Sequence, residues 1–195
     1  MSKNKIIIMT GMPGAGKGAY NRIMGWLPNV ISISTGDLFR KLDPESALGK
    51  KVKEIMASGG FVGDDIVNEM VLPHLVPGKD ILLDGFPRNI AQAEWLLDRT
   101  RDKFDVIAFL INLDEDTAEA RRLKRINDYV LLGKEPRKDD VDPAVLQKRF
   151  AEYREKTEPT IEFLRGKLGD KFFDMDGKLA IEDVYDNIMK IYTKL

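Results

Sequence analysis

Gly11, Gly16 and Lys17 have the types and spacing to hold a phosphate. They fill the pattern G-x-x-x-x-G-K inside KIIIMTGMPGAGKG, residues 5–18. Glycine lets the backbone turn inward, so that consecutive N–H groups and the positive end of a following helix face an anion. The lysine adds a mobile point charge toward the outer phosphates. The Ser or Thr that usually follows, with a hydroxyl on magnesium, is Gly18 here. Any metal must therefore be held some other way.

Six arginines fall near expected loop or helix-end positions: Arg40, Arg88, Arg121, Arg125, Arg137 and Arg149. Any one of them alone reads as solvated surface charge. Arg121 and Arg125 are four apart, so one helix face presents both to the same region. Arg122 and Lys124 point elsewhere and read as ordinary surface. Planar guanidinium forks are what two negatively charged molecules need if they are to be brought together. Asp84, closing a strand, has the position from which a carboxylate orients magnesium through bound water. Asp37 could do the same or serve as a cap or turn residue. His74, beside Leu72 and Leu75, reads as structural, and the methionines as core filler.

The elements that must position these residues follow from periodicity. Strands are expected at Ile6–Ile8, Val30–Ser34, Asp80–Asp84, Val106–Ile111 and Phe172–Met175. Helical spacing is expected over Tyr20–Trp26, Leu38–Lys41, Pro44–Ala57 (ended by Gly59-Gly60), Asp64–Leu75 (with Asp64 as cap), Ile90–Leu97, Glu115–Ile126 and Val184–Ile191. An irregular polar stretch follows Ile126, and then a long helix over Pro143–Leu164, with a break at Pro159. Strands alternating with helices imply right-handed crossovers and a parallel sheet covered on both faces. Ligands belong at the strands' carboxyl ends, where the polar clusters 11–17, 35–40 and 84–88 all fall.

Composition narrows the class further. The 195 residues suit one domain, and 43% hydrophobic with 32% charged residues describes a globular chain. A formal charge of −1 argues against a chain built to coat nucleic acid. With no cysteine, disulfides and thiolate metal sites are excluded. The apolar run at the start stops at Thr10 and Gly11, too short for a signal peptide, and no span could cross a membrane. A cytoplasmic protein with no membrane partner is expected.

Five segments in order carry a resemblance: GMPGAGKG at 11–18, STGDLFR at 34–40, DGFPRNIAQAE at 84–94, RKDD at 137–140 and KRFAEYREKTEPTI at 148–161. Together they resemble adenylate kinase and its nucleoside monophosphate kinase relatives. The resemblance implies an α/β P-loop three-layer sandwich, a single kinase domain over 1–195 with a monophosphate-binding arm at 35–64 and a short lid at 126–136. That lid has no cysteine and resembles the zinc-free form. ATP would be held by Gly14, Ala15, Gly16, Lys17, Gly18, Ala19 and Arg125, with Arg121, Gly177 and Leu179 toward its base end. The monophosphate would be held by Thr35, Arg40, Gly60, Phe61, Val62, Gly85, Arg88, Gln92, Arg137 and Arg149.

Lys17, Arg88, Arg125, Arg137 and Arg149 would converge on the transferred group, with Mg2+ near Asp84 and Asp37 through water. The implied reaction is ATP + AMP to two ADP, by a monomer. Ala19, Tyr20 and Asn89 depart from the family's common Thr, Gln and Thr. Gln92 matches adenine-selective members, since an amide both donates and accepts. A pyrimidine or deoxynucleoside monophosphate acceptor stays open, as does a regulatory nucleotide binder without turnover, prompted by Ala19.

Overall fold

The structure is a computed structural model that describes residues 3–58, 60–136 and 138–195. Gly59 and Arg137 lie outside the described residues. In chain order the elements are β1 (Asn4–Thr10), α1 (Lys17–Met24), β2 (Val30–Ser34), α2 (Thr35–Arg40), α3 (Ala47–Ala57) and α4 (Asp64–Val71), the last continued by a 3-10 turn. Then come β3 (Asp80–Asp84), α5 (Ile90–Thr100), β4 (Phe104–Asn112), α6 (Glu115–Leu131), α7 (Lys138–Val141), α8 (Pro143–Glu152), α9 (Glu158–Leu168), β5 (Phe172–Asp176) and α10 (Ile181–Tyr192). Among the described residues, no helix is long and apolar enough to cross a membrane.

The sheet order is β2-β3-β1-β4-β5, and every pairing is parallel. β1 lies at its centre, and its Ile6, Ile7, Ile8 and Met9 are at most 2% exposed. A strand covered on both faces needs such an unbroken apolar run. Alternation sends Ile6 and Ile8 into one core with Leu96, Ile161 and Leu164, and Ile7 and Met9 into the other with Tyr20, Met24 and Ile188. This is the three-layer arrangement expected.

The chain leaves β1 for the edge strand β2, returns to β3 between the two, and then crosses past β1 to β4 and β5 on the other side. The strand order therefore reverses at β1, and the crevice at its carboxyl end is the switch point where such sheets bind ligands. The register places the strand ends along one edge. Met9 and Ser34 both align with Asp84, Thr10 aligns with Leu110, and Asn112 with Asp176.

Four expectations are corrected. α6 does not stop at Ile126 but runs to Leu131, because no breaker intervenes before Gly133. That glycine has φ +65°, and the N–H groups of Gly133 and Lys134 donate to Val130 O and Tyr129 O, a left-handed glycine stop. The expected helix over 143–164 divides at a wide π-type turn, Tyr153–Thr157, ahead of Pro159. A proline lacks an N–H and crowds the preceding turn, so the disturbance falls on its amino-terminal side. Gly63, not Asp64, is the cap residue of α4. His74 is exposed in the 3-10 turn while neighbouring Leu75 is buried.

Candidate active site

The loop between β1 and α1 lies at the switch point. α1 begins at Lys17, so its free N–H groups open onto the loop. Gly14 has φ +90°, and a Cβ there would be 2.7 Å from Ala118 O, which keeps the loop pressed against α6. Lys17 Nζ donates to Gly11 O at 2.6 Å and to Met12 O at 2.9 Å. Its ammonium is held down to about 8, first by burial; Asp84 opposes the shift, while Arg88, Arg149 and Arg125 reinforce it. Four charges from β3, the loop after it, α6 and α8 thus act on one amine. Arg121 lies over the far side of the loop, its Nη1 3.9 Å from where a Cβ of Gly16 would stand. The Tyr20 ring touches the same point, and its buried hydroxyl has no partner among the described residues.

The arginines are organised by a residue that spacing did not single out. Asp140, on α7, has a side chain only 4% exposed. It takes two bonds from Arg125, Nε at 3.0 Å and Nη2 at 2.8 Å. Arg149 Nη1 stands 3.5 Å from the same carboxylate. Arg122 is not ordinary surface: it is 7% exposed, grips Glu119 through Nε and Nη2 at 2.7 and 2.6 Å, and donates Nη1 to the Asp140 carbonyl. Glu119 raises the Arg122 guanidinium further, so it stays a cation. A narrow opening lies between Gly14, Arg125, Arg149 and Asp140. Spacing could not single out Asp140, since a buried carboxylate and an exposed one are the same residue type, and it is burial that demands cationic partners.

A second, roomier cleft lies between α2, α4 and the start of α5. Seven of the expected monophosphate residues line it: Thr35, Gly60, Phe61, Val62, Gly85, Arg88 and Gln92. Gly36, Phe39, Met56 and Val67 line it as well and were not foreseen, since apolar residues at helical spacing carry no chemical mark. Gly85 has φ +75°, and a Cβ there would stand 2.8 Å from Thr35 Oγ1 and 2.9 Å from Arg88 Nη2. Thr35 Oγ1 spans to Gly85 O at 3.1 Å, and Arg88 Nε donates to the same carbonyl at 2.9 Å. The Arg88 guanidinium lies 5.4 Å over the Phe61 ring.

Not every expected residue joins these clefts. Arg40 lines neither; its Nη2 pairs with Asp37 at 2.6 Å. Ser34 accepts the Asp37 N–H and is the cap of α2. Asp84 is half-buried at the end of β3. Gly18 is exposed with nothing near its α-carbon, whereas a Cβ on Gly177 would meet Asn112 O at 2.5 Å. Leu179 is 41% exposed beyond β5.

Two openings lined by arginines, beside a glycine-rich loop and its lysine at the switch point of a parallel sheet, define a phosphotransferase of the P-loop class. The family model for adenylate kinase matches residues 9–168. The chain is 34% identical to an adenylate kinase of Bartonella henselae over 95% of its own length and 98% of the relative's. It is 37% identical to an adenylate kinase of Nitrobacter winogradskyi, covering 95% and 91% of the two chains. An adenylate kinase of Thermosipho africanus is 32% identical, over 95% and 98%. The chain belongs to the adenylate kinase family.

Proposed function

We propose that this chain catalyses ATP + AMP to two ADP, with ATP phosphates on the loop 14–19 and AMP in the cleft beside Arg88 and Gln92. The observation that carries this reading is that the charges of Asp84, Arg88, Arg149 and Arg125 all act on the Lys17 amine, while Arg125 and Arg149 line one opening and Arg88 the other. The P–O bond from the β-phosphate bridging oxygen to the γ-phosphorus breaks as an AMP phosphate oxygen bonds to that phosphorus. Such transfer needs positioning and charge neutralisation more than covalent help. Lys17, Arg88, Arg125 and Arg149 supply that charge, and Arg137, outside the described residues, is assigned the same role. Arg121, Gly177 and Leu179 border the ATP base; Thr35, Arg40 and Val62 complete the AMP side.

Magnesium binds oxygen donors, and a half-buried carboxylate on the switch-point edge suits it. Asp84 would hold its water shell, with Asp37 more remote because Arg40 already pairs with it. When bound with ATP, the ion would supply positive charge that offsets the phosphates' negative charge. The arm 35–64 and the lid 126–136 are assigned closing motions that exclude water from the phosphoryl group. Both substrate regions come from one chain, which supports a monomer, placed in the cytoplasm. A coupled assay of folded protein with ATP, AMP and magnesium tests the reading: ADP should form at equal molar cost of both substrates, and its absence would sink the proposal.

A further inference from the structure

Gln92 is 1% exposed at the wall of the second cleft. A carboxamide can lie either way round, and the choice decides which base edge it reads. Here three contacts remove the choice. The Arg88 N–H donates to Gln92 Oε1 at 2.8 Å, so an oxygen must stand there. Gln92 Nε2 donates to Asp64 Oδ1 at 2.7 Å, and a carboxylate oxygen facing it can only accept. Asn89 closes the ring: its Oδ1 accepts the Gln92 backbone N–H at 2.8 Å, which turns its Nδ2 onto the same Asp64 oxygen at 2.8 Å. Reversing the Gln92 amide would set N–H against N–H at one end and oxygen against carboxylate at the other. Leaving such buried groups unpaired is costly.

We propose that Asp64 is the positioning residue that sets base specificity in the acceptor cleft. Each amide atom of Gln92 has used one bonding position on this frame, so one lone pair and one N–H are left, in a fixed order. That order complements a base edge with an exocyclic amino donor beside a ring-nitrogen acceptor, as in a 6-aminopurine. A 6-oxopurine presents the reverse pair and meets donor with donor and acceptor with acceptor. The inference rests on the assignment of Gln92 as the base-facing residue. Asp64 acts from α4, and Gln92 and Asn89 from the start of α5, so the reading of the base is tied to how the arm meets the core.

The test compares kcat/KM for AMP and for IMP in wild type, Asp64→Ala, Asp64→Asn and Gln92→Leu. Asp64→Ala should lower the AMP:IMP ratio by about tenfold or more, since discrimination by buried polar pairs is large. Asp64→Asn should keep the ratio near wild type, because its carbonyl oxygen can take both donors. A purely structural role would lower both kcat/KM values together and leave the ratio unmoved. An unchanged ratio in Asp64→Ala, with a collapsed ratio in Gln92→Leu, overturns this inference and spares the base-facing role of Gln92. An unchanged ratio in Gln92→Leu removes that role and the inference with it. Should Asp64→Ala not fold, side-chain amide spectra of the wild-type protein decide: the Gln92 protons should exchange slowly and respond to AMP but not IMP, whereas exchange as fast as in a free amide would sink the proposal.

Discussion

The two substrate-facing regions of this protein are built from different materials. The donor side is mostly backbone: nine consecutive residues from Gly11 to Ala19 supply N–H groups, a helix start and one lysine. The acceptor side is side chains brought from α2, α4, the turn after β3 and α5, and between the two sits a carboxylate on α7 that binds guanidinium groups from α6 and α8. The donor side depends on φ angles, so Gly18 and Ala19 stand where other residue types are common without disturbing the turn. The acceptor side depends on hydrogen-bond polarity, and a single reversed amide would change what it recognises.

Substitution of the arginines should make the contrast sharpest. Arg125→Ala is expected to reduce kcat by about 10³-fold or more, the scale of one arginine on a transferred phosphoryl group. A loss under about tenfold in single-turnover rates would place Arg125 outside the reaction.

The donor side is expected to respond to pH through Lys17. Its folded value of about 8 lies below the ordinary 10.5, so its charge is lost more readily in the folded protein. kcat/KM for ATP should fall by about tenfold per pH unit above that value. The same group acts oppositely on stability. Between about 8 and 10.5 the unfolded chain holds more protons, so its contribution rises with pH through that window. A flat kcat/KM profile to pH 10 would break the assignment.

A smaller effect, on stability more than on chemistry, is expected where Asp140 ties the two sides. Asp140→Ala leaves the Arg125 and Arg149 groups without that carboxylate, and should cost about 1–3 kcal/mol in denaturant unfolding. Both arginines are about a third exposed, at 37% and 30%, so water softens the loss. kcat should fall less than in Arg125→Ala; an equal fall with unchanged stability would make Asp140 a direct participant. The smallest effect belongs to the opposite edge of the sheet. There the Tyr192 hydroxyl donates to Asp80 at 2.6 Å and raises that hydroxyl's pKa, after burial as the first cause. Tyr192→Phe should cost about 1 kcal/mol and leave kcat unchanged; a changed kcat would couple that edge to the site.

Much of this was legible in residue order. All five strands fall near where they were expected, and β2 and β3 match to the residue: β3 because a strand buried on both faces must be apolar throughout, and the half-exposed edge strand β2 because its β-branched residues alternate with serine. Seven cleft residues were reached through motif resemblance. Arg122 and Asp140 were not, since a buried ion pair and a surface charge are written with the same letters. Asp64 looked like a cap because Asp before a helix usually is one. Its acceptor role needs Asn89 and Gln92, more than twenty residues along the chain.

What the sequence alone determined is local: the turn of the phosphate loop, its lysine and the strand cores, because each depends on φ angles and periodicity within a few residues. Tertiary structure alone decided which arginines are gathered by Asp140, how far Lys17 is depressed, and which way the Gln92 amide faces. Those depend on burial and on the polarity of partners that only folding brings within hydrogen-bond reach.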